Sequence, residues 1–180
     1  MLQATLEELA EAGYSALSLE RVARRAGVNK TSVYRRWGTR DSVLLDAILE
    51  RASQSVPIPD TGSVRSDLLE LARAIIANNS TPETQAVIRA FVAEAPRESA
   101  LAARGREFWA ARFVADRQII QRGMDRGELP SDTNPDLVIE ALLGPLYLRL
   151  LITAEPLDIA YAERVIDLLL AGLHATSARL

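Results

Sequence analysis

Seven cationic side chains, Arg21, Arg24, Arg25, Lys30, Arg35, Arg36 and Arg40, fall in a stretch that holds no acidic residue. Thr31, Ser32 and Tyr34 are interleaved with them. Guanidinium and ammonium groups neutralise phosphates, and hydroxyls and amines at helical spacing can meet base edges. The set could therefore grip and read a nucleic acid. From Ser55 to Leu180 there are 13 basic and 17 acidic residues. A polyphosphate is thus drawn to the first part and weakly repelled by the second. A merely solvated charged surface would carry the same residues, so the elements that position them must decide.

Other chemistries find little support. The chain has no cysteine and one histidine, His174. Disulfides, thiolate metal sites and thiol catalysis are excluded, and histidine relays are improbable. Glu94, Glu98 and Glu107 lack any HExxH or carboxylate–histidine spacing, so neither an enzyme, a metal nor a cofactor is expected. Over 180 residues, 28 alanines and 26 leucines with 5% aromatics describe packed helices. The longest apolar run, Gly144 to Leu151, is broken by Pro145 and Arg149, too short to span a bilayer. No secretory signal opens the chain, and a cytoplasmic protein with no membrane partner is expected.

The elements follow from periodicity and caps. Leu2, Leu6, Leu9 and Ala10 make one helical face that Gly13 should end. Ser18 caps a short helix, Leu19–Ala26, with Leu19, Val22, Ala23 and Ala26 inward; Glu20 suits its first turn. Gly27 breaks it, and Asn29 caps a second, Lys30–Trp37, whose inward residues are Val33 and Trp37. Two short helices about a glycine-containing turn have helix-turn-helix spacing. Joined to the basic run, that spacing becomes a strong signal.

Thr39 then caps a helix reaching about Gln54, with Val43, Leu44, Ala47 and Ile48 inward. Ser55–Gly62, rich in proline, is a loop. Helices follow over Val64–Asn79, Glu83–Glu94 and Arg97–Arg126, the last with a kink or break expected near Gly105. Ala111 and Val114 are assigned to its inward row. Another begins by Pro135 and runs to about Thr153, and a last covers Asp158–Ser177. The fold class is all-α: a three-helix helix-turn-helix domain, residues 1–46, and a helical dimerisation domain, 47–180, with about nine helices.

Leu142, Leu143, Leu146, Tyr147, Leu150 and Leu151 cover more than one stripe of their helix, which must therefore be buried on more than one side. A second subunit is the simplest cover, so a homodimer is expected through Leu142, Leu143, Leu146 and Leu150 with Ile166, Leu169, Leu170 and Leu173. The alternative is the central helix of a monomer. Gly144 and Gly172 would let helices approach closely. Twofold symmetry would set two reading helices about one DNA turn apart, ~34–36 Å, and demand a palindromic operator in double-stranded DNA.

In such a head, Lys30, Thr31, Ser32, Tyr34 and Arg35 are the expected base contacts. Ser18 with its capped helix, Arg36 and Arg40 are the expected phosphate contacts. Tyr34 could instead brace Trp37, and Trp37 itself reads as core.

Taken in order, Leu17-Ser18-Leu19-Glu20-Arg21-Val22-Ala23, Ala26-Gly27-Val28, Lys30-Thr31-Ser32-Val33-Tyr34-Arg35-Arg36-Trp37 and Thr39-Arg40-Asp41 resemble the TetR family of bacterial transcriptional regulators. The resemblance covers Ala4–Leu49. It implies an all-helical homodimer whose last two helices pair, and base contacts on Lys30, Thr31, Ser32 and Tyr34 with the neighbouring Arg35. It also puts Arg40 where members have a phosphate-binding lysine. Members usually repress transcription until a small molecule enters the body. The implied pocket would draw on Ile75, Asn78, Gln85, Phe91 and Phe108, with Trp109, Arg112, Phe113 and Tyr147. An apolar or aromatic effector is expected there. Members commonly carry several, often basic, residues before the first helix, whereas this chain opens inside it. If that is the true start, DNA affinity should be lower; a truncated reading frame is the other explanation. An activator, or a helical protein-interaction module, would be the alternative functions.

Overall fold

The computed structural model describes residues 1–52, 58–94, 96–97 and 99–177. Among them the chain is all-helical: α1 (Leu2–Ala16), α2 (Leu19–Arg25), α3 (Lys30–Trp37), α4 (Arg40–Ala52), α5 (Val64–Asn78), α6 (Pro82–Glu94), α7 (Ala100–Asp125), α8 (Pro135–Leu148) and α9 (Ile159–Ser177). The expected end of α4 at Gln54, the loop residues Ser55–Pro57, and Glu98 lie outside the described residues.

Two compact units are formed. One comprises Met1–Ser55 and Asn78–Phe108, the other Val56–Ala77 and Trp109–Leu180. In the first, α1 packs along both α4 and α6. Its core joins Leu6, Leu9, Leu17, Val22, Leu44 and Ile48 to Val87, Phe91 and Leu101. A smaller cluster, Leu19, Ala23, Val33 and Val43 with Trp37 against it, fixes α2 on α3 and α4. In the second unit Leu68, Leu71, Ile119 and Ile120 pack with Ile139, Leu142, Leu146 and Ile166.

The caps are local and form as their residue types dictate. The Ser18 hydroxyl accepts from the Arg21 amide at 3.3 Å, and Asn29 Oδ1 from the Thr31 amide at 2.8 Å. Thr39 Oγ1 accepts from the Ser42 amide, and Asn134 Oδ1 from the amides of Asp136 and Leu137. Gly27, at φ 66°, supplies the left-handed residue of the turn between α2 and α3.

Several elements depart from expectation. Gly13 leaves helical geometry as expected, at φ 75° and ψ 166°, but the helix resumes beyond this kink to Ala16. The long helix does not break at Gly105. A Cβ there would lie 3.0 Å from Phe91 Cδ1, so this glycine serves the approach of α6 rather than a bend. Ala111 and Val114 face outward, Val114 being 57% exposed, because Asp116, Ile119 and Ile120 take the inward row. The helix before Thr153 ends at Leu148 and passes into a π-helical turn, Arg149–Thr153, closed by left-handed Ala154.

Candidate nucleic-acid interface

Lys30, Thr31, Ser32, Tyr34 and Arg35 all stand exposed on α3, while Val33, one residue out of phase with them, is 1% exposed in the core. Helical periodicity alone produces this division. Tyr34 is 43% exposed, and its hydroxyl donates to Glu20 of α2. Trp37 packs against the small cluster as expected, with Nε1 donating to Asp46 at 2.8 Å and the Arg36 guanidinium 4.7 Å over its ring.

The fold changes the electrostatics that the local sequence suggests. Arg21 and Arg25 turn toward α1, where they bind Glu8, whose side chain is only 4% exposed. Arg25 also donates to Glu11, with Glu7 3.9 Å away. Burial works to raise the Glu8 carboxyl, but its hydrogen bonds and charge pairing with Arg21 and Arg25 hold it below the ordinary value. Two of the seven cations are therefore engaged in joining α2 to α1.

Arg40 is engaged as well. Its Nη1 donates to the carbonyls of Tyr14 at 3.2 Å and Ser15 at 3.1 Å, and its guanidinium lies 4.7 Å over the Tyr14 ring. It thus closes the C-terminus of α1, where a cation complements the carbonyl ends. Arg24, exposed beside Arg21, lines a cleft of about 280 Å³ together with Glu8, Arg21 and Arg25. The outward face of α3 keeps Lys30 and Arg35 beside the hydroxyls of Thr31 and Ser32.

The sequence analysis missed Glu8 and Glu20 as partners of this surface. Glu7, Glu8 and Glu11, clustered in α1 a short way before Arg21, Arg24 and Arg25, were the available signal for Glu8.

These observations agree with the comparisons with known proteins. Residues 1–47 match the family described as bacterial regulatory proteins, tetR family, and residues 58–169 match a tetracyclin repressor-like C-terminal domain. This chain belongs to the TetR family. It is 38% identical over 172 residues to the HTH-type transcriptional regulator AqdR of Rhodococcus erythropolis, spanning 96% of this chain and 83% of that protein. The crystal structure of the TetR family transcription regulator SCO0332 superimposes with TM-score 0.72 at 31% identity, over 95% of this chain and 94% of that one. FadR from Bacillus subtilis, solved with stearoyl-CoA, shares the fold alone: TM-score 0.79, 17% identity, 96% and 95% covered. As a TetR-type regulator the chain acts by binding rather than catalysis, and its regulation responds to ligands.

The residues named for a pocket divide between the two units. In the first, Phe91 lies 6.1 Å from Phe108 between ring centroids, and Gln85 Nε2 donates to the Asn79 carbonyl at 2.9 Å. Asn78 is exposed. In the second, Trp109 lies 6.5 Å from Phe113 and meets Tyr147 edge-on at 5.3 Å, while Ile75 is core. Arg112 pairs with Asp116 through two contacts, Nη2–Oδ1 at 2.7 Å and Nε–Oδ2 at 3.0 Å. Asp116 is fully buried; burial pushes its carboxyl up against the opposing pull of Arg112.

The residues named for a dimer face divide by depth. Leu142, Leu143, Leu146 and Ile166 are 0–5% exposed within the single chain. Leu150, Leu169, Leu170 and Leu173 are half-buried. Leu137, Leu148 and Leu168 are exposed by 62%, 46% and 74%, and Gly144 and Gly172 face open space. His174 is exposed, with Nδ1 2.6 Å from the Leu170 carbonyl and Nε2 3.1 Å from that of Glu128. Among the described residues no helix is long and apolar enough to cross a membrane, and no cluster of metal-ligating side chains forms.

Proposed function

We propose that this protein is a transcriptional repressor that binds an inverted-repeat operator as a homodimer and leaves it when a small apolar or aromatic molecule binds. The observation that carries the reading is the outward row of α3, with Lys30, Thr31, Ser32, Tyr34 and Arg35 all exposed on an eight-residue helix that is capped at its start and anchored by Val33. Lys30 and Arg35 are donors suited to guanine O6 and N7, and Thr31 offers a methyl to thymine. Ser18, Arg36 and Arg40 take phosphate oxygens. Residues 1–46 form the reading domain, and 47–180 the effector and dimerisation domain.

Pairing through α8 and α9 is supported by an apolar row that the single chain leaves uncovered. Leu137, Gly144 and Leu148, with half-buried Ala141 between them, recur at coiled-coil spacing on α8, as do Leu168, Gly172 and Ala175 on α9. The deeper leucines beneath hold these helices to their own core. For the effector, the Trp109, Phe113 and Tyr147 rings supply apolar contact and Arg112 a polar anchor. FadR, of the same fold, is solved in complex with stearoyl-CoA, whose acyl chain is apolar.

Footprinting on the DNA upstream of its own coding region tests this directly. The reading predicts protection of a palindrome whose half-sites are centred ~34–36 Å apart or a multiple of that. Equal, salt-erased binding to every duplex would overturn it.

A further inference from the structure

Glu20 lies at the start of α2, exposed, on the side that meets α3. It accepts the hydroxyl proton of Tyr34, one of the residues of the outward row. Lys30, one turn earlier on α3, adds its positive field at the same carboxylate. Glu20 is therefore ionised at neutral pH, held below its ordinary value by the Tyr34 hydrogen bond first and by Lys30 among the lesser causes. An acidic side chain on a surface that meets phosphates works against affinity, and besides suiting the first turn of α2 this one holds Tyr34.

A phenol has one proton to donate. With that proton held by Glu20, the oxygen offers DNA only acceptor lone pairs. Phosphate oxygens, guanine O6 and N7 and thymine O4 are themselves acceptors and cannot pair with it. The exocyclic amino groups of adenine, N6, and cytosine, N4, are donors and can. We propose that Glu20 is a specificity-determining residue that fixes Tyr34 as a hydrogen-bond acceptor, so that Tyr34 selects adenine or cytosine at the base it faces. Glu20 itself acts through Tyr34 and is a positioning residue. The inference rests on the DNA-binding reading above and goes beyond it by assigning the polarity of one contact.

The test is selection from a randomised duplex library by the full-length wild type, Glu20→Ala, Tyr34→Phe and the double variant. Circular dichroism verifies that each is folded. Wild type should select adenine or cytosine at one position in each half-site, roughly tenfold over the alternatives. Tyr34→Phe should lose that preference. Glu20→Ala frees the hydroxyl proton and should admit guanine or thymine at the same position, while the double variant matches Tyr34→Phe. Glu20→Ala should also tighten binding to unrelated duplex, since a like charge is removed, which a folding defect would not do.

An unchanged selected sequence in Glu20→Ala would overturn the proposal. So would a Tyr34→Phe variant that weakens all sequences equally, because that is the signature of a phosphate contact. If wild type selects no sequence at all, the DNA-binding reading fails, and that outcome is distinct from the other two.

Discussion

The Tyr14 hydroxyl donates to Asp41 Oδ1 at 2.9 Å, tying the last turn of α1 to the first turn of α4. Burial, then this hydrogen bond and the Asp41 charge, raise the Tyr14 phenol from 10.0 to about 12. A raised value in the folded state favours the neutral phenol. Its stabilisation is complete below pH 10 and is lost as pH climbs from there toward 12. Tyr14→Phe should cost about 0.5–1.5 kcal/mol at neutral pH and flatten stability over that alkaline window. Urea unfolding at a series of pH values measures both; an equally steep alkaline loss in the variant would count against the assignment.

Arg40 binds two carbonyls of α1 besides carrying the charge proposed for a phosphate. Arg40→Ala should therefore do two separable things. It should lower stability by about 1–2 kcal/mol through the lost charged hydrogen bonds. It should also reduce the salt slope of DNA binding by ~1 without changing sequence preference. Arg40→Lys should recover the slope and only part of the stability, since an ammonium cannot stack on the Tyr14 ring as the planar guanidinium does. A slope unchanged in Arg40→Ala would leave this residue a purely structural clasp.

Glu8 is the buried partner of two arginines, and its removal leaves them facing an uncharged amide. Glu8→Gln should destabilise by about 1–3 kcal/mol. Because the carboxyl is held below its ordinary 4.5, its contribution is present above that pH and is lost as pH falls through the lowered folded value. Acid titration of stability should show that loss in wild type and its absence in the variant.

Gly105 allows α6 and α7 to approach until only a hydrogen separates it from the Phe91 ring. Gly105→Leu should destabilise by about 1–3 kcal/mol despite leucine's better helix propensity, because Phe91 is 5% exposed and already packed on Phe108. A thermal melt that rises in this variant would show that α6 yields.

Depth separates core leucines from those of the proposed interface. Leu142→Ala, at a fully buried site, should cost 2–5 kcal/mol whether or not a dimer forms. Leu168→Arg, at a 74% exposed site, should leave the fold intact and convert the proposed dimer to monomers in sedimentation. A Leu168→Arg protein that stays dimeric would place the interface elsewhere.

Much of this was legible because it is local. Ser18, Asn29, Thr39 and Asn134 bond amides two or three residues ahead, and the outward row of α3 follows from one residue's 100° turn. Such interactions depend on spacing alone, so the sequence by itself determined most of the helices, the turn at Gly27 and the outward face of α3. The partners of the charges were another matter. Glu8 meets Arg25 across 17 positions and Glu20 meets Tyr34 across 14, and the local spacing announces neither pairing. The crossing of α1 over α2 and of α2 over α3 decides which of them are neighbours. The same holds for the leucines of α8: periodicity finds an apolar helix, but only packing against α9 tells which side is already covered. A charge's effect depends on distance and burial, and both are properties of the assembled fold.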